Sequence, residues 1–241
     1  REHNYTSLIN SGTGAGKTSS SLFAAREGGA DVTLIIAPDQ THESAWLPTV
    51  PLIMGLEGRI IGNKNKATKE AMLDFELGYP GVYLVTPELF TRSDVTAWRG
   101  DMLIVDEAHK LANPGKAGQR KLGGYDSRDP EPLASRFEGK LMLSGTMLRN
   151  RFEYAWSHSR VLWPELNKRG QIAHDNFYLW QSDRMLYETI TTGVDWFAVS
   201  WETYRARGES WGKVIDGVPH LGNPKTARKY LSEAEPGRWI N

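Results

Sequence analysis

Short apolar runs alternate with helical patterns along the first 150 residues of the chain. The runs are rich in Val, Ile and Leu and have few polar positions, which is typical of strands that are covered on both faces. Alternating strands and helices predict a doubly wound, mostly parallel α/β sheet with helices on both faces. The predicted strands are TSLIN (6–10), VTLIIA (32–37), VYLV (82–85), MLIV (102–105) and LMLS (141–144).

One helical pattern between these strands is particularly regular. The segment KATKEAMLDFELG (66–78) has a 3.6-residue apolar period and ends in Gly78, a residue suited to the left-handed end of a helix. We therefore predict an amphipathic helix that covers one face of the sheet. Its apolar stripe consists of Ala67, Ala71, Met72 and Phe75.

The pattern changes twice further along the chain. Residues 111–132 are rich in Gly, Pro and charge, which predicts an exposed loop. Beyond residue 150 the alternation fades and seven tryptophans follow, which predicts a helical extension packed by aromatic side chains. The expected domains are therefore 1–165, with the α/β sheet, and 166–241, a helical, aromatic-rich extension.

Composition narrows the choice of function only slightly. The 29 basic and 29 acidic side chains cancel, so any site for a polyanion must be local. The absence of cysteine excludes disulfides, thiol chemistry and cysteine-liganded zinc. No apolar run approaches the roughly 18 residues of a membrane-spanning helix, and no signal peptide opens the sequence, so we predict a protein of the reducing cytosol.

A glycine-rich segment follows the first predicted strand, where ligands bind in doubly wound sheets. Its glycines would let the backbone approach a phosphate closely, and the next helix would point free amides at the anion. Lys17 would then neutralise the outer phosphates, and Thr18 would bind Mg²⁺. The alternative is a glycine-rich turn without a ligand. The predicted nucleotide-binding residues are Ser11, Gly12, Thr13, Gly14, Ala15, Gly16, Lys17 and Thr18.

Two adjacent carboxylates follow the predicted strand MLIV. Asp106 and Glu107 lie beyond a buried strand, where charge is costly unless it has a cation or a task. The first carboxylate can hold Mg²⁺ while the second takes a proton from an attacking water. The alternative is a solvated helix start that favours acidic residues.

Together these motifs resemble the first RecA-like domain of superfamily 2 helicases and translocases. SGTGAGKT (11–18) resembles motif I, VDEAH (105–109) resembles motif II in its DEAH form, and SGT (144–146) resembles motif III. APDQTHESAW (37–46) is similar to motif Ia and VTPELF (85–90) to motif Ib. All five segments occur in the family's order.

Within this superfamily the chain most resembles the SWI/SNF-type translocases. DEAHKLANP and LSGTMLRN are similar to their motifs II and III, although Met147 replaces the usual proline. The last seventy residues have the general character of bacteriophage-encoded members. The resemblance thus implies a cytoplasmic protein of a bacterial or phage-infected cell.

The resemblance also implies an activity and the residues that perform it. It implies ATP and Mg²⁺ as cofactors, DNA (duplex or single strand) as a partner, and a second RecA-like domain of the same parent chain. The implied roles are catalysis for Glu107, Asp106 and Lys17, metal binding for Thr18 and Asp106, coupling for His109, Ser144 and Thr146, and nucleic-acid contact for Pro38, Thr86 and Arg149.

Two features of the sequence leave alternatives open. The Q-x-x-G-R-x-x-R motif, which carries the arginine finger of these motors, is not found, and such a finger contributes roughly 10³ to 10⁵ in rate. We therefore expect this chain to be weakly active alone. The other readings are a non-catalytic nucleic-acid-binding module with the same fold and the motor part of a restriction-type nuclease. The basic residues Lys110, Lys116, Arg120 and Lys121 either follow DNA phosphates or belong to a solvated loop.

Overall fold

The chain forms two compact units, Arg1–Trp180 and Gln181–Asn241. No helix in the described part of the chain is long and apolar enough to cross a membrane. The computed structural model describes residues 5–12, 14–124, 131–146, 153–164, 185–207 and 212–233.

The first unit is built on a six-stranded sheet in which every neighbouring pair of strands is parallel. The order across the sheet is β1-β6-β5-β2-β4-β3. All five predicted strands are confirmed, whereas β3 was missed because it has only three residues, all half-buried. The strands are β1 (Thr6–Asn10), β2 (Val32–Ile36), β3 (Gly58–Ile60), β4 (Gly81–Val85), β5 (Gly100–Val105) and β6 (Phe137–Ser144).

Helices follow most strands and cover both faces of the sheet. A π-helical turn, His42–Trp46, joins two of them, and 3₁₀ turns occur at Ala108–Lys110 and Leu133–Arg136. The helices are α1 (Lys17–Glu27), α2 (Asp39–Thr41), α3 (Leu47–Met54), α4 (Lys66–Glu76), α5 (Pro87–Arg92), α6 (Ala117–Gly123) and α7 (Glu153–Leu162).

Two hydrophobic cores lie on the opposite faces of the sheet because successive side chains of a strand point to opposite sides. In β2, Leu34 and Ile36 belong to one core and Ile35 to the other. Helices α1 and α3 pack on the side of Ile35, and α4 to α7 pack on the opposite side. The predicted doubly wound α/β fold is therefore confirmed. The exceptions to two-sided burial are the two edge strands, β1 with exposed positions and β3 with half-buried ones.

The predicted amphipathic helix is α4. Ala71 and Phe75 are buried, and Gly78 follows the helix in a left-handed conformation (φ 77°). Asn65 and Thr68 form a capping box at the start of the helix. Ala67 is exposed, so its place in the apolar stripe was wrong: the first turn of α4 extends past the covered surface.

The prediction of an exposed loop over residues 111–132 was partly wrong. Seven of these residues form α6, whose Gly118, Gln119 and Leu122 are buried. A Cβ atom at Gly118 would lie 2.7 Å from a methyl group of Leu111, so glycine is what allows this close packing. Glycine in this segment permits contact instead of marking a loop.

For residues 185–207 and 212–233, the second unit corrects the prediction of a helical extension over residues 166–241. Its described part is an antiparallel sheet of β7 (Met185–Ala198), β9 (Val218–Glu233) and β8 (Gly212–Ile215), with one helix, α8 (Trp201–Arg207). The overlooked signal was Asp216-Gly217, whose positive φ angles (47° and 77°) form a two-residue hairpin turn. The predicted boundary at 165–166 stays a prediction because residues 165–184 lie outside the described part.

Candidate functional site

The glycine-rich segment forms an open loop between β1 and α1. Gly14 and Gly16 have φ angles of 79° and 77°, which residues with a side chain rarely adopt. Gly16 is the N-cap of α1. A Cβ atom at Gly12, Gly14 or Gly16 would meet no atom within 4 Å. The space beside the loop is therefore open to a ligand. Thr13 lies outside the described residues.

Lys17 folds back along this loop. Its Nζ donates hydrogen bonds to the carbonyl oxygens of Ser11 (2.8 Å) and Gly12 (2.9 Å). Its positive charge is thus held against the loop that leads into the first amides of α1. Positive charge and free helix amides in one place favour an anion.

Asp106 is the first residue after β5, and its carboxylate is held from two sides. Oδ1 accepts a hydrogen bond from the backbone N–H of Glu107 (2.9 Å), and Oδ2 accepts one from Nε1 of Trp46 (3.3 Å). Burial raises the pKa of Asp106, and these donors and the charge of Lys17 oppose that rise. A nearby cation would favour the ionised form further.

Glu107 has an unusual backbone conformation. Its φ and ψ angles are 48° and 46°, the left-handed region that costs a residue other than glycine free energy. The side chain is about one-third exposed, and its Oε2 lies 3.1 Å from Nδ1 of His109. The two adjacent carboxylates thus have different partners: Trp46 and a backbone N–H for half-buried Asp106, and His109 for Glu107.

Ser144 connects the loop to the DEAH segment, because its strand, β6, lies between β1 and β5. The carbonyl oxygen of Ser144 accepts a hydrogen bond from the N–H of Ser11 (3.3 Å). Its buried Oγ lies 2.9 Å from Nδ1 of His109 and accepts a hydrogen bond from the N–H of Thr146 (3.1 Å). The three residues predicted to couple the site therefore lie together.

Two of the three residues predicted to touch nucleic acid lie at the same edge of the sheet. Pro38 and Thr86 follow β2 and β4. Thr86 Oγ1 accepts a hydrogen bond from the N–H of Leu89 (3.2 Å) and so caps α5. Pro38 is buried and is the N-cap residue of α2. Their contact with nucleic acid stays a prediction, and Arg149 lies outside the described residues.

Two residues beside Asp106 were not predicted as site residues. Trp46 and His42 are both buried at the ends of the π-helical turn. Nε2 of His42 donates to the carbonyl oxygen of Ala37 (2.8 Å), and burial lowers the pKa of this histidine, against the opposing charges of nearby acids. The available signal was the position of both residues within APDQTHESAW, the segment similar to motif Ia.

Lys121 has a structural task that neither sequence reading included. Its Nζ donates to the carbonyl oxygens of Thr91 (2.8 Å) and Ser93 (2.5 Å), at the end of α5. Burial lowers the pKa of Lys121, against the opposing charge of Asp94. A lysine that satisfies helix-end carbonyls stabilises the helix. It is therefore removed from the set of basic residues proposed for DNA phosphates.

The residues at the carboxyl ends of the strands have the chemical groups that would suit ATP with Mg²⁺. The amides of the loop and Lys17 suit phosphate, and the Thr18 hydroxyl and the Asp106 carboxylate are the oxygen ligands that Mg²⁺ prefers. Among the described residues, no group of three or more acidic or histidine side chains could hold a metal ion. A magnesium ion here would thus take its other ligands from phosphate and water, as is usual for Mg²⁺.

Comparisons with known proteins show the class of fold. No protein-family model matches the sequence, and no curated protein matches it either. Among solved structures, the chain is similar to the Sulfolobus solfataricus SWI2/SNF2 ATPase core in complex with dsDNA, with a TM-score of 0.52 and 17% identity. The match covers 74% of this chain and 34% of that one, so the chain spans about a third of its neighbour's length. The first unit therefore has a RecA-like α/β fold.

Proposed function

We propose that this chain is the ATP-binding motor domain of an ATP-dependent DNA helicase or translocase. It would hydrolyse ATP to ADP and phosphate and couple this reaction to movement on DNA. The observation that carries the proposal is the position of Ser144. It lies between the glycine-rich loop and the DEAH segment and contacts both, through Ser11 and His109. The similarity to an ATPase core solved with dsDNA supports the choice of DNA as the track.

The proposed chemistry assigns one task to each side chain. Lys17 and the loop amides bind the phosphates, and Thr18 and Asp106 bind Mg²⁺, which would neutralise charge that develops on the phosphates. Glu107 takes the proton of the attacking water. Glu107, which is about one-third exposed, is the better base of the two acids because Asp106 has both oxygens engaged by hydrogen-bond donors.

The proposed coupling runs through His109 and Ser144. His109 Nδ1 lies within 3.1 Å of both the Glu107 carboxylate and the Ser144 hydroxyl. A change at the catalytic carboxylate therefore reaches β6, and through Thr146 the chain beyond it. We propose that a second RecA-like domain of the parent protein receives this change and supplies the missing arginine finger.

The test is Mg²⁺-dependent binding and turnover of ATP by this chain, with and without duplex and single-stranded DNA, beside a longer chain that includes the next 200 or so residues. We expect ATP binding by both, and turnover stimulated by DNA only in the longer chain. Lys17→Ala should weaken binding in both, with Lys64→Ala, an exposed lysine away from the loop, as the control.

Each alternative predicts a different result. Absence of ATP binding in both chains would contradict the proposal and favour a non-catalytic nucleic-acid-binding module. DNA cleavage that depends on ATP in the longer chain would instead favour the motor of a restriction-type nuclease. Equal ATP affinity in Lys17→Ala and wild type would exclude the phosphate-binding role of the loop.

A further inference from the structure

We infer that Trp46 is a positioning residue that holds the Asp106 carboxylate in place for Mg²⁺. The inference rests on the proposed function, because it concerns the metal ligand of that site. It adds a residue of the segment similar to motif Ia to the nucleotide site, where the sequence indicated only nucleic-acid contact.

The two donors on Asp106 come from different parts of the chain. The N–H of Glu107 reaches Oδ1 from the next residue, and the indole N–H of Trp46 reaches Oδ2 across 60 positions of sequence. Two donors on two oxygens fix the plane of a carboxylate. Each oxygen keeps a further lone pair, so the group can still bind a cation.

The indole itself has little freedom to move. Trp46 is fully buried and belongs to the core on the α1 and α3 side of the sheet, together with Leu22 and Val50. The packed ring therefore fixes the position of the indole N–H, and with it the carboxylate to which this N–H donates. A ligand side chain held by a packed neighbour keeps its geometry better than one held by solvent.

The backbone near Trp46 has the features of a specialised turn. Residues His42–Trp46 form a π-helical turn in which the N–H of Leu47 bonds to the carbonyl oxygen of His42. Such turns are rare and occur frequently at functional sites. The side chain of His42 anchors the start of the turn to Ala37, directly after β2. The turn thus ties Trp46 to the end of the strand beside β5.

The chain offers a matched control for a test of this role. Trp98 is also fully buried, and its Nε1 also donates to a carboxylate, Oε1 of Glu76, at 3.3 Å. It lies in the other core, on the opposite face of the sheet. Trp46→Phe and Trp98→Phe therefore remove the same kind of hydrogen bond and leave an aromatic ring in place.

The experiment measures binding of a fluorescent ATP analogue by the full chain while Mg²⁺ is titrated. For Trp46→Phe we expect a roughly 10-fold rise in the Mg²⁺ concentration that gives half of the Mg²⁺-dependent increase in analogue binding. This is the scale found when partners of metal ligands are lost. For Trp98→Phe we expect no change. Binding of the analogue without Mg²⁺ should be the same in wild type and both variants, which a general loss of packing would not produce.

The outcomes separate this inference from the proposed function. An unchanged midpoint in Trp46→Phe, or an equal shift in both variants, would overturn the role of Trp46 while leaving the proposed function intact. Absence of any Mg²⁺-dependent binding by wild type would overturn the proposed function and this inference with it.

A second measurement does not require substitution of Trp46. In ¹⁵N-labelled wild type, Mg²⁺ with nucleotide should shift one indole N–H resonance strongly. Asp106→Asn should shift the same resonance because it changes the acceptor of the Trp46 indole. If no indole resonance responds to both changes, Trp46 does not position Asp106.

Discussion

At the scale of single residues, the two adjacent carboxylates have different partners. Asp106 is half-buried with hydrogen-bond donors on both oxygens, and its burial raises its pKa. Glu107 is about one-third exposed and turned away by its left-handed backbone. Neighbouring acids in different environments commonly perform different tasks, which supports the proposal that Asp106 binds the metal and Glu107 transfers the proton.

Glu107→Gln tests this division of tasks. Turnover by the longer chain with DNA should fall by roughly 10² to 10⁴, the usual contribution of a general base, because the amide cannot accept the proton. Binding of ATP with Mg²⁺, measured by calorimetry, should stay within about 2-fold of wild type. Asp106→Asn is the comparison: we expect this variant to bind ATP more weakly than wild type only when Mg²⁺ is present. Undiminished turnover in Glu107→Gln would rule out Glu107 as the base.

At the scale of secondary structure, the position of β6 between β1 and β5 brings three motifs into contact. Ser144 ends β6 and contacts Ser11 through its backbone and His109 through its side chain. By these contacts, Ser11 and His109 are connected through Ser144 and not directly to each other. The side chain of Ser144 is therefore the part of this connection that a substitution can remove without a change of backbone.

Ser144→Ala should separate ATP binding from stimulation by DNA. We expect ATP affinity within about 3-fold of wild type and loss of most DNA-stimulated turnover in the longer chain, because the hydroxyl that contacts His109 is removed. Ser135→Ala, which removes a hydroxyl on the 3₁₀ turn before β6, should leave both quantities unchanged. Full stimulation in Ser144→Ala would show that coupling follows another route.

Lys121 shows how an element is stabilised from outside its own sequence. Lys121→Met removes the donor for the carbonyls at the end of α5, and a hydrogen bond to a charged group contributes about 1.5–3 kcal/mol. We expect a loss of about 1–3 kcal/mol of unfolding free energy in urea. Lys116→Met, an exposed position before α6, should cost less than about 0.5 kcal/mol. Equal stability of the two variants would contradict the capping role.

At the scale of the whole chain, the two units have different architectures. The first is a parallel sheet between two helical layers, and the second contains a three-stranded antiparallel sheet. The proposed nucleotide-binding residues that the structure describes belong to the first unit. Separate compact units commonly unfold in separate transitions.

Scanning calorimetry should therefore show two unfolding transitions, and MgATP should raise the midpoint temperature of one of them. A ligand at 100 times its Kd stabilises the unit that binds it by about 2.7 kcal/mol. Lys17→Ala should abolish the shift without removing either transition. A single transition that MgATP shifts as a whole would show that the units unfold together.

The sequence alone determined most of the first unit. Five apolar runs became five parallel strands, because a strand covered on both faces needs consecutive apolar residues such as Leu34, Ile35 and Ile36. The positions of Asp106 and Ser144 at strand ends, and of Lys17 at the start of the helix after β1, followed from the same pattern. The carboxyl ends of parallel strands share one edge, so motifs far apart in sequence were expected to meet there.

Only the tertiary structure decided which side chains touch. The hydrogen bond from Trp46 to Asp106 and the contact of Lys121 with the end of α5 join positions that have no periodic relation in sequence. The antiparallel second unit was also missed, because tryptophans at irregular spacing outweighed the Asp216-Gly217 turn signal. Local patterns report which face of an element is covered, whereas partners depend on the order of strands in the sheet, which periodicity does not encode.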